Sequence, residues 1–201
     1  MLPTGENLFG PEGLGTSLKI IAVLSALSLL PAVILTVTSF VRTIVVLSFI
    51  RQGIGSQETP PNQVMVGLAM FLTLFVMTPV MNEIKSQAIE PYLAGQIDEA
   101  KALEHALVPL RSFMLRHTRQ ADLAMFYNAT ETDLPETPDD VSMRMAIPAY
   151  IVSELTTAFQ MGVIVLLPFL VVDLAVASLL MSMGMMMVPP STIALPIKLL
   201  L

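Results

Sequence analysis

Three ionisable residues lie inside or at the start of long apolar runs. Glu154 is within the apolar run 146–172, Asp173 opens the next run, and Arg42 interrupts the first long apolar segment. A charge at membrane depth needs a partner charge, water or a backbone carbonyl, so such residues are candidates for a functional site. They suggest either proton or solute coupling in a transporter, or buried ion pairs that fix how helices assemble.

Polar side chains also follow a helical period around Glu154. Ser153, Thr156, Thr157 and Gln160 have the spacing i, i+3, i+4, i+7, which places them on one face of a helix. That face requires water or protein rather than lipid. Two interpretations remain open: an interhelical hydrogen-bonding seam, or the lining of a pore.

A methionine-rich stretch follows at residues 178–190, where five methionines fall within the seven residues 181–187. Gly184 loosens the backbone within it, and Pro189 and Pro190 cannot donate the hydrogen bonds that would continue a helix. Because methionine is unbranched and polarizable, the stretch is able to re-pack around different shapes. It is either a soft constriction in a protein channel or an apolar helix end packed against neighbours.

Signatures of enzymes and of nucleic-acid binding are missing from the sequence. His105 and His117 have no second ligand at metal spacing, and the chain has neither cysteine nor a phosphate-binding glycine loop. The net charge of −6 argues against a nucleic-acid partner. We therefore expect no catalysis, no cofactor and no metal.

Composition places the chain among membrane proteins. It is 54% hydrophobic and only 13% charged, whereas soluble domains are about 25% charged. We predict an all-α fold of membrane-associated helical hairpins with a small extramembrane unit. The expected parts are a polar tail (1–16), a first hairpin (17–84), a charged helical unit (85–145) and a second hairpin with the methionine-rich loop (146–201).

Several boundaries are predicted within these parts. We expect the central helices to break near Pro109, with a second helix from Arg111 to about Tyr127. Two separate apolar runs are expected to meet at Asp173. Eleven residues follow Pro190, too few to cross a bilayer, so the last span is truncated or the end packs on protein.

The arginines suggest an orientation in the membrane. The loop 42–61 holds two arginines and one glutamate, so it is the better cytoplasmic candidate. The central unit would then lie on the opposite, periplasmic side.

Four blocks, in the same order along the chain, resemble those of the FliP family. Members of that family are core subunits of the flagellar type III secretion export gate and have counterparts in virulence injectisomes. The blocks are TSFVRTIVVLS at 38–48, TPPNQV at 59–64 with FLTLF at 71–75, IPAYIVSEL at 147–155, and LPFLVVD at 167–173 through MSMGMMM at 181–187. TRQADL at 118–123 matches a block of the central unit.

The resemblance implies a non-enzymatic subunit of a helical or ring-like hetero-oligomer in the bacterial inner membrane, at the flagellar basal body. Its implied partners are other copies of itself, FliQ, FliR, other export-apparatus membrane proteins, lipid, and the unfolded flagellar proteins that pass through. The family continues into a further apolar segment that this sequence lacks, so the last segment is expected to be truncated.

The resemblance also implies roles for particular residues. Met185, Met186 and Met187 match the loop that lines the closed constriction, with Met183 and Gly184 supporting it. Arg119 and Glu154 are expected to form a salt bridge between neighbouring copies. Arg42, Asp173 and Gln160 are expected to be buried polar or assembly residues. The alternative function is a solute or proton transporter that uses Glu154 and Asp173.

Overall fold

The computed structural model describes residues 11–56, 59–133, 135, 137–185 and 188–200. Throughout these ranges the regular structure is helical and no strand occurs. The predicted all-α class is therefore confirmed. Two compact units divide the chain, Met1–Thr36 and Val37–Leu201.

The first long apolar segment consists of two helices. Helix α1 spans Pro11–Thr36, which is the described part of the first unit. Helix α2 spans Phe40–Ile54 and opens the second unit, after a turn at residues 37–39. Helix α2 has 15 residues, fewer than the about 20 that one bilayer crossing requires, whereas α1 has 26 and would need some tilt to fit.

Helix α3 (Asn62–Ile84) runs through a π-helical turn (Lys85–Ile89) into the short helix α4 (Glu90–Leu93). Arg51 links the end of α2 to the start of α3, since its Nη1 donates to Asn62 Oδ1 at 2.6 Å. The residues that α3 buries recur mostly at every fourth position, so α3 packs along a narrow stripe and exposes the rest: Met65, Ala69, Thr73, Met77 and Val80.

The central unit contains helices α5 (Glu99–His117) and α6 (Gln120–Ala129). Asp98 begins α5 by accepting the Lys101 amide N–H at 2.9 Å. The predicted break near Pro109 is wrong, because Pro109 is buried inside α5 and the chain breaks at Thr118–Arg119 instead. A proline within a helix forfeits one backbone hydrogen bond, and burial against the core offsets that loss here.

Helix α7 (Met143–Ser182) continues for 40 residues, about 60 Å, through both Pro148 and Pro168. The predicted boundary between two apolar runs at Asp173 is therefore not a helix boundary. The chain turns after Ser182, and Gly184 adopts a φ of 76°. Helix α8 (Pro190–Lys198) then returns along α7 and buries Ala194 against Val176 and Leu180. Residues 190–198 thus pack on protein, one of the two arrangements expected for them.

The main core joins α3, α5 and α7. Its buried residues are Val37, Met77, Val80, Phe113, Met114 and Tyr150. A second cluster, formed by Tyr127, Val141 and Ala146, joins α6 to the start of α7. The charged central unit is consequently not independent, because its helices share their core with the long apolar helices.

Within the described part of the chain, three helical segments are long and apolar enough to cross a membrane: Leu18–Thr36, Asn62–Leu93 and Met143–Ser182. The last two exceed the length of about 20 residues that a hydrocarbon core requires. Part of each therefore extends beyond the apolar layer, or packs on protein.

Candidate functional site: charged and polar contacts along α7

Glu154 forms an ion pair with Arg42. The Arg42 Nε atom lies 3.3 Å from Glu154 Oε2, and the glutamate side chain is only 1% exposed. The contact is ionic rather than a directed hydrogen bond, since Glu154 Oε2 accepts none. Arg42 was expected to be a buried polar or assembly residue, but Glu154 was expected to pair with Arg119 of a neighbouring copy.

Glycine and phenylalanine residues define the α2–α7 contact beyond this pair. A Cβ atom on Gly53 would stand 2.5 Å from the Phe169 ring, and one on Gly162 would overlap the Phe49 ring. Phe49 also packs edge-on against Phe159, with ring centroids 5.7 Å apart. From Arg42 to Gly53 along α2, the contact partners on α7 advance from Glu154 to Phe169. The two helices therefore run parallel.

Arg119, the residue just before α6, contacts another face of α7. Its Nη2 donates to Gln160 Oε1 at 2.6 Å and to Thr157 Oγ1 at 3.4 Å, while its backbone N–H donates to Ser153 Oγ at 3.0 Å. The Ser153 hydroxyl in turn donates to Asp122 Oδ2 at 2.5 Å. Three members of the predicted polar stripe therefore form a hydrogen-bonding seam between α7 and the start of α6.

The structure does not bring Arg119 and Glu154 together within one chain. Glu154 faces Arg42, whereas the Arg119 guanidinium is held by Thr157 and Gln160. Among the residues that the structure describes, no carboxylate lies within salt-bridge distance of Arg119. Pairing of Arg119 with Glu154 across neighbouring copies stays a prediction.

Asp173 pairs with Lys198 of α8. The Lys198 Nζ donates to Asp173 Oδ2 at 2.7 Å, and the lysine side chain is 4% exposed. Lys198 Nζ also lies beside Gly55, 3.7 Å from where a Cβ atom would stand. Asp173 was predicted from the sequence as a buried polar or assembly residue, but Lys198 was not. The signal was available, because Lys198 is itself an ionisable residue in an apolar run.

The methionine-bearing turn lies at the tip of the α7–α8 hairpin. Met183 and Met185 are exposed, at 71% and 41%, on either side of Gly184. Met186 and Met187 lie outside the described residues. The described part of the predicted constriction is therefore an exposed apolar turn with few contacts inside the chain.

Each of the two histidines has a backbone carbonyl partner. His105 Nδ1 lies 3.1 Å from the Gln87 carbonyl oxygen, and His117 Nδ1 lies 2.8 Å from that of Phe113. No group of three His, Asp or Glu side chains suited to a metal ion occurs where the structure describes the chain. The chemistry that the described residues support is thus ion pairing and hydrogen bonding between helices.

Comparison with known proteins gives consistent matches along the chain. Residues 23–201 match the FliP family. The flagellar biosynthetic protein FliP of Bacillus subtilis is 44% identical over 198 residues, which cover 97% of this chain and 90% of the relative. FliP of Pectobacterium carotovorum is 48% identical (96% and 74% covered), and FliP of Aquifex aeolicus is 41% identical (100% and 84% covered).

Proposed function

The chain belongs to the FliP family of flagellar biosynthetic proteins, and on this premise we propose that it is a pore-forming, non-enzymatic subunit of the flagellar type III protein export gate. Unfolded flagellar proteins would pass through the pore that its copies form. The observation that carries this proposal beyond the family is the exposed methionine-bearing turn at the tip of the α7–α8 hairpin.

The turn has the properties that a seal for many different substrates requires. A translocating chain presents varied side chains, so the seal has to fit each of them without binding any tightly. Flexible thioethers re-pack more readily than branched side chains do. Met185, Met186 and Met187, repeated around a ring, would close the channel, and an apolar constriction also blocks ions by dewetting.

Exposed apolar surface supports assembly with other helices. On α3 the Phe71, Leu74 and Phe75 side chains are all exposed, as are Ile164, Val171 and Leu174 on α7. A soluble monomer rarely exposes contiguous apolar surface of this extent. The proposed neighbours are further copies of this chain, FliQ, FliR, other export-apparatus membrane proteins and lipid.

The proposed location is the bacterial inner membrane at the flagellar basal body, with the central unit on the periplasmic side. The parallel packing of α2 and α7 supports this orientation. Arg42, at the start of α2, meets the part of α7 that packs on the central unit, whereas Gly55, after the end of α2, lies beside Lys198. The α2–α3 connection is therefore at the other end of these helices from the central unit. The predicted loop 42–61 is wrong in its extent, because residues 42–54 belong to α2. Of its two arginines, Arg42 lies at the proposed periplasmic end, and only Arg51 lies at the proposed cytoplasmic connection.

Between neighbouring copies we keep the pairing of Arg119 with Glu154 as part of the proposal; it requires Glu154, which is 1% exposed beside Arg42 in the single chain, to become accessible on assembly. Arg119 has no carboxylate partner among the described residues, and only neutral oxygens hold its guanidinium. Arg119→Glu and Glu154→Arg should each reduce assembly, and the double variant should restore it once Arg42→Glu is added, because Glu154→Arg by itself places two cations side by side within the chain. If neither single change alters the amount of assembled particle, the two residues do not pair between copies.

The alternative, a transporter that uses Glu154 and Asp173, has less support from the site. Each carboxylate already has a cation partner in the same chain, Arg42 or Lys198. Such pairing favours a structural role over reversible binding of protons or solutes.

Electron-microscopic imaging of the purified complex with its partner subunits tests the proposal. We expect ring-like particles that contain several copies of the chain around a central channel. A stable monomer that takes up a small solute when reconstituted into vesicles would overturn it.

A further inference from the structure

The packing of α2 against α7 has one well-defined register. Arg42 meets Glu154 at one end, the Phe49 ring covers Gly162 in the middle, and Gly53 receives the Phe169 ring at the other end. All three contacts advance in the same direction along both helices. A slide of one helical turn, about 5.4 Å, would move every contact by three or four residues.

The ion pair distinguishes this register from a slipped one most strongly. After a slide of one turn, Arg42 would face the region of Tyr150 or Ala158, and both residues are fully buried. The Glu154 carboxylate would then remain buried without its cation. An uncompensated buried charge is among the most unfavourable changes in a folded protein, so the pair disfavours the slipped register even where apolar side chains could re-pack.

The register matters because α7 carries the methionine-bearing turn. Met183 follows Glu154 by 29 positions on a continuous helix, which corresponds to about 44 Å. Helix α2 accompanies α7 from Glu154 to the level of Asp173, where Lys198 lies beside Gly55. Beyond Asp173, the buried cluster of Val176, Leu180 and Ala194 contains only residues of α7 and α8. The position of the hairpin tip therefore depends on how α7 packs against α2 between Glu154 and Asp173.

We infer that Arg42 is a positioning residue for the channel seal: through its pair with Glu154 it sets the height at which α7 holds the methionine-bearing turn. This inference rests on the proposed function, because it assumes that the turn closes a channel. It assigns to a residue near the start of α2 an effect on a constriction at the far end of α7.

Disulfide cross-linking reads the register directly, because the chain has no cysteine of its own. The native-register pair is Gly53→Cys with Phe169→Cys, since removing the ring opens the space that a side chain at position 53 needs. The slipped-register pair is Gly53→Cys with Val172→Cys, about one turn further along α7, in a chain that also carries Phe169→Ala so that position 53 has the same space. Both pairs are made in the full-length chain in membranes, with Arg42 and with Arg42→Met.

With Arg42 in place we expect the native pair to cross-link at least several-fold better than the slipped pair. Arg42→Met should lower that preference at least threefold, whereas Arg42→Lys, which keeps the charge, should largely retain it. Cross-linking does not require assembled particles, so the result stands even if Arg42→Met assembles poorly. An unchanged preference in Arg42→Met would overturn the inference.

Ion leak through the complex in vesicles, without engineered cysteines, provides the functional measurement. Arg42→Met should increase the leak in particles of normal size, and Arg42→Lys should do so less. The triple change Met185→Ala, Met186→Ala and Met187→Ala serves as a control. If the triple variant leaks and Arg42→Met does not, the inference about Arg42 fails; if the triple variant does not leak, the proposed seal itself fails.

Discussion

At the scale of residues, the buried charges of this protein are paired with partners from distant parts of the chain. Arg42 and Glu154 lie on α2 and α7, and Asp173 and Lys198 lie on α7 and α8. A buried ion pair adds little net stability, because desolvation offsets much of the attraction, but removing one partner is strongly unfavourable. Both pairs therefore serve mainly to specify which helices meet, and in which register.

Replacement of Lys198 by methionine should destabilise the purified protein by about 3 kcal/mol. This value is at the lower end of the range for a broken buried pair, because Asp173 is partly exposed. The double variant Lys198→Met with Asp173→Leu should recover most of the loss, since no lone charge remains. Thermal unfolding in detergent measures both effects.

Lys85→Met provides the matched control for Lys198→Met. Lys85 pairs with Glu90 at 3.7 Å, but both side chains are largely exposed. An exposed pair contributes at most about 1 kcal/mol, so this variant should unfold close to the unaltered protein. Equal losses in Lys85→Met and Lys198→Met would contradict the importance of burial at the α7–α8 pair.

At the scale of elements, close approach of α2 and α7 depends on two glycines that receive phenylalanine rings. Gly162→Ala places a Cβ atom within the space of the Phe49 ring. Overpacking of this kind costs about 1–3 kcal/mol, so the variant should unfold at lower temperature. Adding Phe49→Leu should restore part of the loss, because the smaller side chain leaves room for the new methyl group.

Gly67→Ala is the control for Gly162→Ala. Gly67 is also helical, but no atom lies within 4 Å of the position that its Cβ would take. Alanine is favoured over glycine in a helix by about 1 kcal/mol, so Gly67→Ala should be neutral or stabilising. A similar loss in both variants would show that the Phe49 contact does not account for the effect of Gly162→Ala.

The α7–α8 hairpin is the element that we propose to close the channel. Replacing Met185, Met186 and Met187 by alanine should increase ion leak through the assembled complex severalfold, because shorter side chains leave the ring open. Conductance across a planar bilayer measures the leak. Met125→Ala, on the exposed surface of α6, is the control and should leave conductance unchanged; equal conductance in both variants would place the seal elsewhere.

At the scale of the whole molecule, a single chain buries only part of its apolar surface. The largest exposed aromatic residues of α3, Phe71 and Phe75, are 68% and 75% exposed. A helix with one narrow buried stripe and an otherwise apolar surface is typical of a helix that meets lipid or other subunits on its remaining faces. In the ring-like assembly that we propose, these faces would meet other subunits or lipid, and imaging of the purified complex tests that assembly.

Composition and helical periodicity determined the all-α class, the membrane character and the polar face of α7 around Ser153. These properties are local, because they depend on the order of side chains within a few turns of one helix. The methionine-rich stretch and Gly184 were visible in the same way, as a turn between two helical segments.

Only the tertiary structure decided which charges meet and where the helices end. Local patterns do not identify a partner far along the chain, so Arg42 was not predicted as the cation beside Glu154, nor Lys198 as the one beside Asp173. Packing also overrode local propensity, since the core retains Pro109 within α5 and α7 continues through Asp173. The physical reason is common to both: burial and charge compensation are set by the neighbours that folding brings together, not by neighbours in sequence.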